Sequence, residues 1–382
     1  MKKLTVVIVS YNVRHYLEQC IVSVQRAAQD IDYEIYVVDN ASVDDTVSYL
    51  HERFGSGINL IESQNNLGFA RANNLAIRQS QSEYVLLLNP DTFVAEDALH
   101  TVLDFMDHHP KAGGVGVKMH NADGTLAPES RRGLPTPWVS MLKMLGSSRR
   151  YYMSHLSWDE PGRIEVMSGA FCMLRREVLD QVGLLDPDFF MYGEDIDLSY
   201  RIMKGGYENW YVPASIVHYK GESTSKSSYG YVHVFYQAML IFFRKHYGHL
   251  SFLVTLPITL AIYVRAFFAL VHTLYWRVKM MLGLDKWYAD EHYCFVGSPA
   301  MLDECRQLAK RKGLEAHFVD ISQLPSLAEQ LQPESYVVYD TDAIPFAQVI
   351  SHAASLPSSA KMRIGTYSMA TKTIITQHDI IK

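Results

Sequence analysis

Leu4-Thr5-Val6-Val7-Ile8-Val9-Ser10-Tyr11-Asn12 opens the chain with a strand-forming run that turns polar at its end. The body has no polar alternation, which suits a strand covered on both faces, as in a parallel sheet. Helical spacing follows at once, with Tyr16, Leu17, Cys20, Ile21 and Val24 recurring on one face of residues 14–29. The alternation then repeats. Glu34 to Val38 reads as a strand and Asp44 to Phe54 as a helix; Leu60-Ile61 is a short strand and Gly68 to Gln79 a helix. Tyr84 to Leu88 is a fourth strand. Strand and helix taking turns predict an α/β domain with a mostly parallel sheet. In such sheets ligands bind beyond the carboxyl ends of the strands. The sequence places Ser10-Tyr11-Asn12, Asp39-Asn40-Ala41-Ser42 and Asn89-Pro90-Asp91-Thr92 there. Turns and helix caps also use these residue types, so one such tip alone says little.

The bulk properties bound the rest. A chain of 382 residues is long for one core and suggests two or three units. At 48% hydrophobic and 20% charged it is an ordered globular chain. A formal net charge of -6 argues against a general nucleic-acid binder. Cys20, Cys172, Cys294 and Cys305 are too few for a disulfide scaffold and lack metal-ligand spacing, so they read as buried apolar residues. The apolar run after Met1-Lys2-Lys3 is too short for a signal peptide, which leaves the N-terminus on the cytoplasmic side.

Composition divides the chain at about 228 and 288. Residues 229–288 are rich in aromatic and aliphatic side chains and poor in acids. Pro257 and Arg265 interrupt the densest stretch, Leu250 to Trp276. Arg244, Lys245, Arg277 and Lys279 flank it. A helical pair lying in a membrane interface fits better than a clean span, which needs roughly 20 apolar residues. A pair of buried core helices is the alternative. Residues 289–382 read as a separate small α/β unit, with strands at 292–296, 316–319, 336–339 and 362–365. Its Val296-Gly297-Ser298 turn suits a phosphate, but a docking or oligomerisation role is the simpler expectation and leaves room for a homo-oligomer. Gly113-Gly114-Val115-Gly116 lacks the third glycine of a dinucleotide fingerprint and reads as a strand. Residues 128–137, with Arg131 and Arg132, read as a mobile loop over the site, its arginines either meeting a diphosphate or solvated.

Taken in order, several segments resemble family 2 of the inverting glycosyltransferases. They are Val7 to Asn12, Val37 to Thr46, Leu88 to Asp91, Gly193-Glu194-Asp195-Ile196-Asp197-Leu198 and His218 to Ser223. Asn65 to Asn74 is similar to that family's bacterial rhamnosyltransferase-like branch. The resemblance runs over residues 4–224 and implies a GT-A-like catalytic domain over residues 1–228. It assigns Asp39, with Asn40 and the Ser10-Tyr11-Asn12 turn, to the nucleobase. Asn66, Gly68 and Arg71 fall to the nucleotide, and Asp91 to a divalent cation, Mg²⁺ or Mn²⁺. Asn89 stands where the simplest family pattern has an acid, so it brings a carbonyl oxygen and one less charge. His218 is implied as a further metal ligand, Gly169 and Ala170 as acceptor-side residues, and Asp195 as the base with Glu194 supporting or competing. Acids at a helix start are also favoured by the dipole alone.

The resemblance thus implies a metal-dependent, inverting transfer from a nucleotide-sugar donor to a lipid-linked or oligosaccharide acceptor, in surface polysaccharide synthesis. The expected place is the cytoplasmic face of the inner membrane, peripheral or monotopic. Two other readings stand beside it. A sugar nucleotidyltransferase usually carries a glycine-rich basic loop after the first strand, which Ser10 to Val13 lacks. An inactive membrane-bound scaffold has no reason to keep Asp39, Asp91, Asp195 and His218 together.

Overall fold

The computed structural model describes residues 1–144, 146–220, 229–248, 292–329, 331, 334–357 and 361–382, together with 256, 260, 263–264, 267–268, 270–271, 274–275 and 278–279. The chain opens with β1 (Lys2–Ser10), α1 (Arg14–Ala27), β2 (Tyr33–Asp39), α2 (Thr46–Phe54), β3 (Asn59–Glu62), α3 (Phe69–Gln79) and β4 (Ser82–Leu88). Next come β5 (Thr92–Val94), α4 (Ala98–His108), β6 (Ala112–His120), α5 (Pro137–Met144), β7 (Gly162–Ile164) and β8 (Phe171–Arg175). They are followed by α6 (Arg176–Val182), α7 (Glu194–Lys204) and β9 (Glu208–His218).

These strands form one sheet in the order β3-β2-β1-β4-β8-β6-β9-β5, with β7 paired to β9. The first four are parallel, and Val6, Val7 and Ile8 of β1 are fully buried, as the unbroken apolar run requires. The second half is mixed. β8 runs antiparallel between β4 and β6, and β5 and β7 run antiparallel to β9. The sheet is therefore less parallel than the sequence pattern predicts, because β8 inserts antiparallel between β4 and β6. Its reversal has a consequence for the site. Pairing Leu88 with Phe171 delivers Gly169 and Ala170 to the edge where β4 delivers Asn89. Ser10 sits opposite Asp39 and Thr92 opposite His218, so all the polar tips share that edge.

A helix α8 (Tyr229–Tyr247) then packs on α7. Lys245 and His246 near its end reach the carboxylate of Asp197, at 2.9 and 2.6 Å, and Arg201 donates to the same group at 2.8 Å. Beyond it, the described residues between 256 and 279 are helical. Leu256, Leu260, Tyr263, Val264, Phe267, Phe268, Val271, Leu274, Tyr275 and Val278 follow helical spacing, and each is between 46% and 64% exposed. Among the described residues, no helix is long and apolar enough to cross a membrane. Pro257, Arg265 and Arg277 lie outside the described residues, as do Glu222 and Ser223.

The C-terminal part forms a second sheet from β10 (His292–Gly297), α9 (Pro299–Lys312), β11 (Glu315–Asp320), β12 (Tyr336–Asp340), α10 (Phe346–Ser355), β13 (Arg363–Ser368), β14 (Thr373–Ile375) and β15 (Ile380–Ile381). Its order is β11-β10-β12-β13-β14-β15, parallel up to β13. One apolar core nevertheless runs through both sheets: Val6 and Ile8 belong to the same cluster as Val296, Tyr339 and Ile364. At the Val296-Gly297-Ser298 turn the Asp340 carboxylate already accepts from the Ser298 N–H and hydroxyl, at 3.1 and 2.7 Å. A phosphate would have to displace that carboxylate.

Candidate active site

The strand tips surround a cavity of about 330 Å³. Ser10 and Tyr11 from β1, Asn40 after β2, Asn66 before α3, and Asn89 and Asp91 after β4 all line it. So do Gly169 and Ala170 before β8, Glu194 and Asp195 of α7, and His218 of β9. Some of the strained backbone lies at the same edge. Asn12, Ala41, Tyr192 and Lys220 all hold positive φ without being glycine, which packed surroundings must enforce.

Next to Asn40, Asp39 is buried at the tip of β2 and does not itself line the cavity. Its Oδ2 accepts from the Ser42 N–H at 2.9 Å, while Oδ1 has no partner within the chain. The hydroxyl of Ser10, directly opposite in the sheet, is likewise buried and unpartnered. Buried polar atoms without partners are costly unless a ligand satisfies them. Asn40 and Asn66 clasp the adjoining loop, with the Asn40 amide donating to Asn66 at 2.9 Å and Leu67 N–H donating to Asn40 at 2.8 Å. Gly68 lines no part of the cavity. Its φ is +76°, and a Cβ there would come within 2.3 Å of the Phe190 carbonyl, so it permits a close crossing of two loops.

In the middle, His218 Nε2 stands 3.2 Å from Asp91 Oδ1 and 3.3 Å from the Asn89 side-chain nitrogen. Among the described residues no three His, Cys, Asp or Glu side chains gather as a metal site. The set is instead a carboxylate, an imidazole and an amide. These donors suit a hard or borderline cation whose remaining positions are filled by phosphate oxygens and water. The residues present therefore fit such an ion as a partial, open site.

At the other end α7 begins with Glu194, Asp195 and Asp197 in its first turn, where the helix dipole favours acids. The structure separates their roles. Asp197 is buried behind the cavity in the cluster with Arg201, Lys245 and His246, whereas Glu194 and Asp195 face the cavity. Asp195 pairs with Arg132 and also accepts from the N–H groups of Gly169, at 3.2 Å, and Ile196, at 2.8 Å. Glu194 keeps one buried oxygen without a hydrogen-bond partner. Burial, and then the neighbouring Asp195 charge, push the Glu194 carboxyl up to about 8.

Some expected residues stand elsewhere. Arg71 is on the exposed side of α3 and donates to the Pro187 carbonyl at 3.2 Å, away from the cavity lining. Asn12 is exposed and ties two loops together through Ser42 and Val43. Neither arginine of the 128–137 segment is solvated. Arg131 is buried with its guanidinium 3.5 Å from the Trp158 ring centroid, and Arg132 holds Asp195. Sequence reading did not single out the Glu129–Lys220 ion pair at 3.1 Å, or Tyr151, Phe235 and Met239, all on the cavity wall. Phe235 and Met239 come from α8, whose aromatic character was the one available sign.

Residues 5–183 match the model of Glycosyl transferase family 2. That matched stretch, just under half of the chain, belongs to the family. The matched residues include the tips of β1, β2 and β4; Asp195 and His218 lie beyond them. The N-acetylglucosaminyl-diphospho-decaprenol L-rhamnosyltransferase of Mycobacterium tuberculosis is 28% identical to this chain over 267 residues, covering 64% of this chain and 85% of that protein. The poly-beta-1,6-N-acetyl-D-glucosamine synthase of Staphylococcus aureus is 26% identical over 186 residues, 48% of this chain and 42% of that protein. Among solved structures, the mannosyltransferase PcManGT from Pyrobaculum calidifontis in complex with GDP-Man and Mn²⁺ is 20% identical, covers 81% of each chain and has a TM-score of 0.46.

Proposed function

We propose that this glycosyltransferase moves a sugar from a nucleoside-diphosphate donor to a hydroxyl of a lipid-linked saccharide, with inversion at the anomeric carbon. The observation that carries the reading is the single cavity on which the tips of β1, β2, β4 and β9 and the first turn of α7 converge. Asp39 and Ser10 offer the nucleobase two buried acceptors that lack partners. Asn89, Asp91 and His218 would hold a divalent cation, which supplies positive charge to the departing diphosphate.

Asp195 acts as the base. The acceptor oxygen attacks the anomeric carbon on the face opposite the diphosphate, and its proton passes to the Asp195 carboxylate as the bond to the leaving phosphate oxygen breaks. Arg132 pairs with that carboxylate and holds its position. Glu194, protonated near neutral pH, donates a hydrogen bond to a sugar hydroxyl. The lipid of the acceptor agrees with the exposed apolar row between 256 and 278, which rests on the membrane surface of the cytoplasmic leaflet. The M. tuberculosis relative, an N-acetylglucosaminyl-diphospho-decaprenol L-rhamnosyltransferase, supports a polyprenyl-diphosphate acceptor.

The test is release of nucleoside diphosphate across a panel of nucleotide sugars, with a membrane lipid extract as acceptor. Acceptor-dependent release supports the reading. Pyrophosphate release instead, or no release from any donor by folded protein, overturns it.

A further inference from the structure

The strands that deliver Asp91 and His218 are held from behind by the C-terminal sheet. Asp91 immediately precedes β5 and His218 ends β9, and these strands pair with Thr92 opposite His218. The Tyr219 N–H donates to the Asp91 carbonyl at 3.0 Å, and the Tyr219 carbonyl accepts from Gln377 Nε2 at 3.1 Å. On the β5 side, both carboxylate oxygens of Glu96 accept from the first N–H groups of α10, those of Phe346 and Ala347, at 2.8 Å each. The Phe346 ring packs on Phe93 of β5 at 5.1 Å, Phe93 on Tyr219 at 5.8 Å, and Tyr219 on Tyr16 at 5.4 Å. The Tyr16 hydroxyl closes the ring of contacts by donating to the Thr376 carbonyl at 2.7 Å. Neither Gln377 nor Phe346 lines the cavity.

We propose that the C-terminal unit is a positioning element of the active site, with Gln377 and the Glu96–α10 contact fixing how Asp91 and His218 stand relative to each other. Both sides of the pair are pinned by one body. Gln377 grips the residue after His218, and α10 grips the turn after β5. Groups that orient metal ligands from outside typically change metal affinity about 10-fold or more when removed. The proposal rests on the reading of Asp91 and His218 as a cation-holding pair.

The experiment is Mn²⁺ binding to the full chain, followed by the loss of the free-ion electron paramagnetic resonance signal. Wild type, His218→Ala, Gln377→Leu, Gln377→Glu and Glu96→Gln are compared, with folding checked by thermal melting. The expected result is Mn²⁺ binding by wild type, its loss in His218→Ala, and binding weakened about 10-fold in the folded Gln377 and Glu96 variants. Variants that melt earlier but bind Mn²⁺ like wild type overturn the proposal and leave the cation pair standing, since a merely structural support changes stability alone. Mn²⁺ binding unaffected by His218→Ala, or absent from wild type, overturns the cation pair itself and the proposal with it. Three separate substitutions guard against one of them failing to fold.

Discussion

Arg132 ion-pairs with Asp195 inside the cavity, while Glu194, the next residue along the helix, keeps a buried oxygen without a hydrogen-bond partner. Two adjacent carboxyls thus stand in different environments, one paired with a guanidinium and the other pushed by burial toward its neutral form. Divergent environments of this kind separate a base from a hydrogen-bond donor.

Arg132 and Asp195 are predicted to act as a unit. Asp195→Asn lowers kcat by about 10²–10⁴, the usual contribution of a positioned base. Arg132→Ala approaches that loss, and the double variant is little worse than Asp195→Asn alone, because contacting residues do not contribute additively. Initial rates of the four proteins at saturating donor measure this. Losses that multiply in the double variant separate the two roles.

Glu194 gives stability a pH dependence of known sign. Its carboxyl titrates at about 8 in the fold, above its ordinary value, so the native state binds more protons than the unfolded chain in between. Stability contributed by this group is therefore complete at low pH and falls as pH rises toward and through about 8. Glu194→Gln is expected to melt roughly 3 °C or more above wild type at about pH 8.5 and close to it at about pH 5. Paired melting curves across that range check it; a constant difference contradicts the burial argument.

Asp197 is predicted to be structural despite belonging to the same acidic cluster. It is fully buried and bonded to Arg201, Lys245 and His246. Asp197→Ala leaves Arg201, Lys245 and His246 without their shared partner and costs about 3–5 kcal/mol, the range for breaking a buried pair. Chemical denaturation gives that loss, and kcat of the folded fraction stays near wild type. A normal midpoint with a collapsed kcat reverses the assignment.

Much of this was legible in the sequence, and the exceptions have physical reasons. β1, β2 and β4 announce themselves because a strand buried on both faces has a continuous apolar run. Their polar tips follow from the rule about strand ends, which is why Ser10, Asn40, Asn89 and Asp91 were found together. β8 was missed because Phe171 to Arg175 runs straight into the helix at Arg176, with no turn residue to mark where the strand ends. Arg132 lies 63 residues from Asp195, and nothing local distinguishes it from a solvated arginine. Arg71 lies outside the cavity lining for the converse reason, since a motif gives a segment's location but not which way each helix face turns. The shared core of the two sheets was hidden as well. Val296 and Tyr339 look alike whether a helix of their own unit or the other sheet covers them.

The exposed row between 256 and 278 is predicted to bind lipid. Flotation with vesicles containing phosphatidylglycerol should carry wild type upward, and a Phe267→Asp/Phe268→Asp variant should remain in the load. Both residues are more than 60% exposed, so charge there leaves the fold intact. Equal flotation of the two proteins contradicts the membrane role.

The central claim is tested most directly by incubating radiolabelled nucleotide sugar with lipid extract and following label into the organic phase. The comparison runs wild type beside Asp195→Asn and Asp91→Asn. The account predicts transfer by wild type, with matching nucleoside diphosphate release, and almost none by either variant although both remain folded. Transfer that survives the loss of Asp195 and Asp91 would place the chemistry somewhere other than this cavity.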